Sequence, residues 1–165
     1  MSLVACPDCG ARFPALDGPT HAYVGASAEC WAAFGELSMR ELDLGIAGPA
    51  QLSPHVYMVQ HPGTEGRREA QSVGVHLMVL GSVLERGLAT PAAVAAMNGW
   101  LRGHPDVPWL KPPSPPATRT IQDLPAQADR ATHEAAVLAW AKAVWASWAD
   151  EHATIRRWLD RGAPG

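Results

Sequence analysis

Cys6-Pro-Asp-Cys9-Gly10 sets two thiols three residues apart near the start of the chain. A turn of that spacing brings both sulfurs to one point, and the glycine after it lets the backbone fold around an ion, as in a zinc knuckle. Two thiolates make half of a tetrahedral site, so two more nitrogen or sulfur ligands are required. Cys30 is expected as the third. It falls in the first turn of a predicted helix, where the positive helix end favours a thiolate. The fourth is sought among the histidines. His21 is nearest and gives the arrangement C-x2-C-x11-H-x8-C; His76 and His61 are the alternatives. Four protein ligands leave no position for water, so the Zn2+ expected here is structural.

Two rival readings share these residues. A thioredoxin-like redox pair has the same spacing, but it sits at the strand-to-helix junction of a βαβ unit, of which the sequence carries no sign. The plainer alternative is two unrelated loop cysteines, with Cys30 as a small buried apolar residue.

The other chemistry-bearing residues are the remaining histidines. His61 precedes Pro62, His76 lies on the apolar face of a predicted helix, and His152 begins the last one. Together they would make a three-nitrogen metal set with an open position, able to activate water. Gln71 or Tyr57 would orient the substrate of such a metal-dependent, hydrolase-like enzyme. On such a face a histidine is more often a hydrogen-bonded core residue than a ligand, which is the plainer reading of His76. His55, His104 and His133 read as surface residues, and Glu36 and Glu41 as solvated. No nucleophile elbow, H-E-x-x-H pair, Walker loop or dinucleotide fingerprint occurs.

These residues must be positioned by helices. Residues 1–26 read as loop, punctuated by Pro7, Gly10, Pro14, Gly18, Pro19 and Gly25, and form an N-terminal cap. Ser27 opens a helix over 28–44, in which Trp31, Phe34, Leu37 and Leu42 recur at helical spacing. Ser53–Pro54 caps a short helix to Gln60. Val73, His76, Leu77, Leu80 and Leu84 line one face of a helix over 67–86, ended by Gly87. Thr90–Pro91 opens an Ala-rich helix to Leu101. Residues 103–119 hold six prolines around Trp109 and Leu110, an ordered crossover that packs back on the body. Thr120 and Asp123 start a short helix to Gln127. Thr132 caps a long helix carrying Trp140, Val144 and Trp148, and a last helix covers 150–161. No strand alternation is evident. The expected fold is all-α: one helical bundle over 1–165, of five to seven helices, with a loop-rich, zinc-stabilised cap.

At 165 residues, 47% hydrophobic and 18% charged, the chain suits one folded domain with a sizeable core. Its net charge of −3 gives no electrostatic reason to seek nucleic acid or an anionic membrane. No apolar run reaches transmembrane length, and residues 1–9 lack the regions of a signal peptide. A cytoplasmic protein with reduced cysteines is expected, its partner an unidentified protein or small molecule.

The strings CPDCG, GPTHAYVGAS, ECWAAFGEL, VQHPG, QSVGVHLMVLGSVLERG and EHATIRRW together resemble a bacterial family of uncharacterised proteins, a domain of unknown function common in actinobacteria. The resemblance covers nearly the whole chain. It marks Cys6, Cys9, His21, Tyr23, Cys30, Trp31, Gln60, His61, Gln71, His76 and His152 as recurring positions, and it implies no activity, substrate or ligand. At residues 54–57 (PHVY) the chain departs from members that carry an Asp near His55, and the segment after Gly45 is shorter.

Overall fold

A short antiparallel hairpin precedes the helices, where the sequence predicts only loop. β1 (Leu3–Ala5) pairs with β2 (Arg12–Pro14) in the register Leu3↔Pro14, Val4↔Phe13 and Ala5↔Arg12. Strands of three residues are too short for a period of two to register in the sequence. Between them Cys6 N–H donates to Ala11 O at 2.8 Å, and Gly10 N–H donates to Cys6 O at 3.0 Å. Gly10 adopts φ +75°, a conformation other residues rarely take, which is why glycine follows the second cysteine. The computed structural model describes residues 2–104 and 106–161.

Six α-helices follow: α1 (Ala28–Asp43), α2 (Ser53–Gln60), α3 (Arg67–Leu84), α4 (Thr90–Gly103), α5 (Arg130–Ser147) and α6 (His152–Arg161). The all-α bundle is therefore the architecture, with the hairpin as its one small sheet among the described residues. Ser27 caps α1, its hydroxyl accepting from Cys30 N. The helix ends in a Schellman motif: Gly45, at φ +73°, donates to Leu42 O, and the buried Ile46 donates to Glu41 O.

Two expected starts move, by one and by three residues. Ser53 is the first residue of α2 rather than its cap, because its hydroxyl is drawn instead to Glu41. Asp129, not Thr132, caps α5, accepting from Thr132 N at 2.7 Å. The Thr120–Asp123 capping box forms as read, but it starts a single 3-10 turn, Ile121–Asp123.

α3 is the central element and packs against α2, α4, α5 and α6. Two of its glycines admit close neighbours. A Cβ on Gly74 would lie 2.5 Å from Val107, and one on Gly81 would lie 3.1 Å from Trp145 and 3.2 Å from Leu159. The Pro-rich crossover therefore does reach the core, through Val107 and Leu110, with Trp109 half-buried beside them. Trp140, Trp148 and Ile155 are fully buried. Cys6, Cys9, Ala11, Val24 and Ala26 from the N-terminal segment join the same apolar cluster as the helices. The expected stripe on α1 turns by one residue at its end: Leu42 faces solvent, while Glu41 is buried.

Candidate metal centre

Four side chains from separate parts of the chain meet under the hairpin. Cys6 and Cys9 come from the knuckle turn, Cys30 from the first turn of α1, and His61 from the residue that ends α2. Their ligand atoms all lie within 4.8 Å of one another, and all four residues are buried. Cys9 Sγ is 3.9 Å from Cys30 Sγ, and Cys30 Sγ is 3.4 Å from His61 Nε2. Tetrahedral coordination with metal–sulfur bonds of about 2.3 Å and metal–nitrogen bonds of about 2.0 Å implies edges of about 3.8 Å between sulfurs and about 3.5 Å between sulfur and nitrogen. The observed separations match those edges. They are far too long for a disulfide, and the three cysteines are free thiols. The group could therefore hold a metal ion.

The backbone explains why His61 arrives here. Pro62 stops α2, and the ring turns back so that its Nδ1–H donates to Tyr57 O at 2.8 Å. That bond leaves the Nε2 lone pair aimed at the sulfurs, the arrangement that orients a ligating imidazole. Tyr57 stacks on Phe34 at 4.2 Å, and its hydroxyl donates to Cys30 Sγ at 3.4 Å. Burial and the Cys30 charge raise the Tyr57 phenol, so it keeps the proton it donates. Asp8, between the two knuckle cysteines, accepts from Gly63 N at 2.7 Å and ties the knuckle to the turn after His61. Burial raises its carboxyl above the usual range.

The four groups strongly perturb one another's protonation when no ion lies between them. Hydrogen bonds from Cys30 and Cys9 draw the Cys6 thiol down, while contacts with Cys30 and Cys6 push Cys9 up. Burial would lower the His61 imidazole, but hydrogen bonds to Cys30 and Cys6 and their charges carry it up to about 9. Three buried sulfurs this close ionise together only around a cation.

Cys6, Cys9 and Cys30 thus come together, whereas His21 does not join them. The His21 ring packs edge-on to Tyr23 at 4.4 Å and tilted to Trp31 at 5.0 Å, and its Nδ1 accepts from Tyr23 N. It is not among the clustered ligands; the nitrogen beside the sulfurs belongs to His61, one of the two alternatives. The other, His76, is engaged by His55, Nδ1 to Nδ1 at 2.8 Å.

The same partners separate the candidate catalytic set. His61 faces the sulfurs, and His76 faces His55. His152 stacks on Trp145 at 4.0 Å and donates through Nε2 to Trp145 O at 2.8 Å. Among the described residues the Cys6–Cys9–Cys30–His61 group is the one cluster of three or more potential ligands. Gln71 lines a cleft with His76, away from the other two rings. Tyr57 serves the Cys30 sulfur.

Three surface assignments also change. Glu41, read as solvated, is buried. His55 is buried against His76, and His133 is fully buried with its Nε2 3.0 Å from Glu41 Oε1. Glu36 is exposed as expected.

A family of unknown function (DUF5946) matches residues 4–149. The chain belongs to that family. No curated protein and no solved structure matches it. The DUF5946 region contains all four clustered residues and the whole of α1 to α5, and it ends before α6 and His152. Among the described residues no helix is long and apolar enough to cross a membrane.

Proposed function

We propose that Cys6, Cys9, Cys30 and His61 hold one structural zinc ion, and that the helical domain it braces acts by binding a partner rather than by chemistry at the metal. The observation that carries this reading is closure: three sulfurs and one nitrogen, all buried, lie within 4.8 Å of one another, and the Cys9–Cys30 and Cys30–His61 separations match tetrahedral edges. Such a set uses every position of a four-coordinate ion and leaves none for water or substrate. Thiolate-rich sites of this composition suit zinc, which is neither oxidised nor reduced as it binds. The ion would join the hairpin, the first turn of α1 and the end of α2. It would do so in the reducing cytoplasm, where a disulfide would not persist.

Elemental analysis of the purified protein tests the reading, combined with melting in the presence of a chelator. One zinc per chain is expected. Its removal should lower Tm by roughly 10 °C or more, because structural zinc contributes several kcal/mol to folding and each kcal/mol moves Tm by about 2–4 °C at this size. Cys6→Ser should reproduce both effects. An unchanged Tm after complete metal removal would overturn the proposal.

A further inference from the structure

A second feature lies between α2 and α3, apart from the four clustered residues. Arg68, Gln71, Ser72, Val75 and His76 fall three or four residues apart in pairs (68/71, 68/72, 71/75, 72/76), so they share one face of α3. That face, with Met58 from α2 and Tyr23 from the loop before α1, lines an open cleft of about 350 Å3. This lies within the range of small-molecule sites. Its lining carries one cation, Arg68, and no carboxylate. Arg68 enters no ion pair among the described residues. Arg68 also sits in the first turn of α3, where free backbone N–H groups add positive potential.

We propose that this cleft binds a small organic carboxylate, anchored by Arg68, oriented by Gln71, Ser72 and His76, and packed along its apolar body by Tyr23, Met58 and Val75. The guanidinium presents a planar fork that matches a carboxylate. One positive charge among otherwise neutral polar groups suits a monoanion better than a phosphate dianion. Tyr23, Met58 and Val75 call for an apolar body behind the charged head.

His76 has the remaining role. Its Nδ1 is engaged by His55 Nδ1 at 2.8 Å, which leaves Nε2 for a ligand. Burial lowers both imidazoles, His55 to about 4 and His76 to about 3, the His55 charge adding to the effect on His76. The pair is neutral near pH 7. When His55 donates through Nδ1, His76 carries its hydrogen on Nε2 and donates to an anion. A bound carboxylate selects that tautomer.

None of these residues belongs to the metal cluster, so failure here and failure of the zinc reading are distinguishable. The test titrates metal-loaded protein with sodium benzoate and follows the imidazole resonances by NMR. Benzoate should shift the His76 ring signals saturably, and benzyl alcohol, its uncharged counterpart, should not. Arg68→Ala changes an exposed side chain and should keep the fold and the metal while weakening benzoate binding at least tenfold. Gln71→Ala should weaken it less. Absence of a saturable benzoate shift, an equal response to benzyl alcohol, inorganic phosphate displacing benzoate at equal concentration, or undiminished binding by Arg68→Ala would each overturn the proposal.

Discussion

The two ends of α1 bury charge-bearing groups in opposite ways. α1 and α2 run antiparallel, linked by the Phe34–Tyr57 stack. At one end Cys30 meets Tyr57 and His61, together with the knuckle cysteines. At the other, Glu41 in the last turn of α1 meets Ser53 at the start of α2. The cysteine end gathers electron-pair donors around one point, which a cation would satisfy. The glutamate end surrounds one carboxylate with protein donors: Ser53 Oγ at 2.7 Å and Gln51 Nε2 at 3.0 Å on Oε2, and His133 Nε2 at 3.0 Å on Oε1. A buried charge is tolerable by either route, provided every lone pair finds a partner. The difference predicts that the first end depends on an ion from outside the chain and the second does not.

Glu41→Ala is expected to have the largest effect among the substitutions that separate the two ends. It removes the acceptor shared by Ser53, Gln51 and His133, and His133 Nδ1 already lacks a partner among the described residues. Orphaning buried donors in this way should cost about 3 kcal/mol in urea unfolding. Metal content should stay at the wild-type value. Should Glu41→Ala also strip the metal, the ends would form one unit and the contrast between them would fail.

The two ends also differ in how far the sequence betrays them. Cys6 and Cys9 are legible because knuckle chemistry needs its ligands within one turn, and Cys30 because a first-turn thiol has an electrostatic reason to be there. The fourth ligand, a nitrogen, was ambiguous for a geometric reason: ring direction depends on how the chain leaves α2 at Pro62, which spacing does not encode. Glu41 and His133 lie 92 residues apart and share no motif. His133 is further hidden by its polar neighbours Arg130, Thr132 and Glu134. The register Cys30, Leu37, Glu41 does place the glutamate on the inner face of α1, but its charge argues for solvent until its three donors are seen. Helix existence was legible almost throughout, because periods of three and four persist over ten or more residues. The hairpin was not, because three-residue strands give no such repeat.

A pH titration of stability sharpens the comparison with a third buried pair, His55 and His76. Both are held below the ordinary histidine value of 6.5, His55 to about 4 and His76 to about 3, chiefly by burial. Below pH 6.5 the unfolded chain therefore takes up protons that the folded chain refuses. Their contribution is complete above about pH 6.5 and is lost as the pH falls toward 4. Allowing for the partial exposure of His76, the pair should account for about 2 kcal/mol of lost stability between pH 6.5 and 5. The double variant His55→Leu/His76→Leu should flatten the unfolding curve in that interval, with metal content followed in parallel. An equally steep loss in the variant would assign the acid sensitivity to the sulfur cluster instead.

The smallest expected effect falls on the residue that sequence spacing favoured most as the fourth ligand. His21 is half-buried, and its contacts are aromatic ones with Tyr23 and Trp31 and a long hydrogen bond from Tyr23 N. Losing them in His21→Ala should cost about 1 kcal/mol and leave the bound metal at one per chain. His61→Ala, by contrast, takes away the only nitrogen in the cluster and should release the ion. His61→Cys offers a fourth sulfur of the kind such sites accept and should restore part of the affinity. The pair of measurements is decisive because the two histidines follow the same knuckle but differ in where their backbones aim them. Metal loss in His21→Ala with retention in His61→Ala would reverse the assignment and make His21 the fourth ligand.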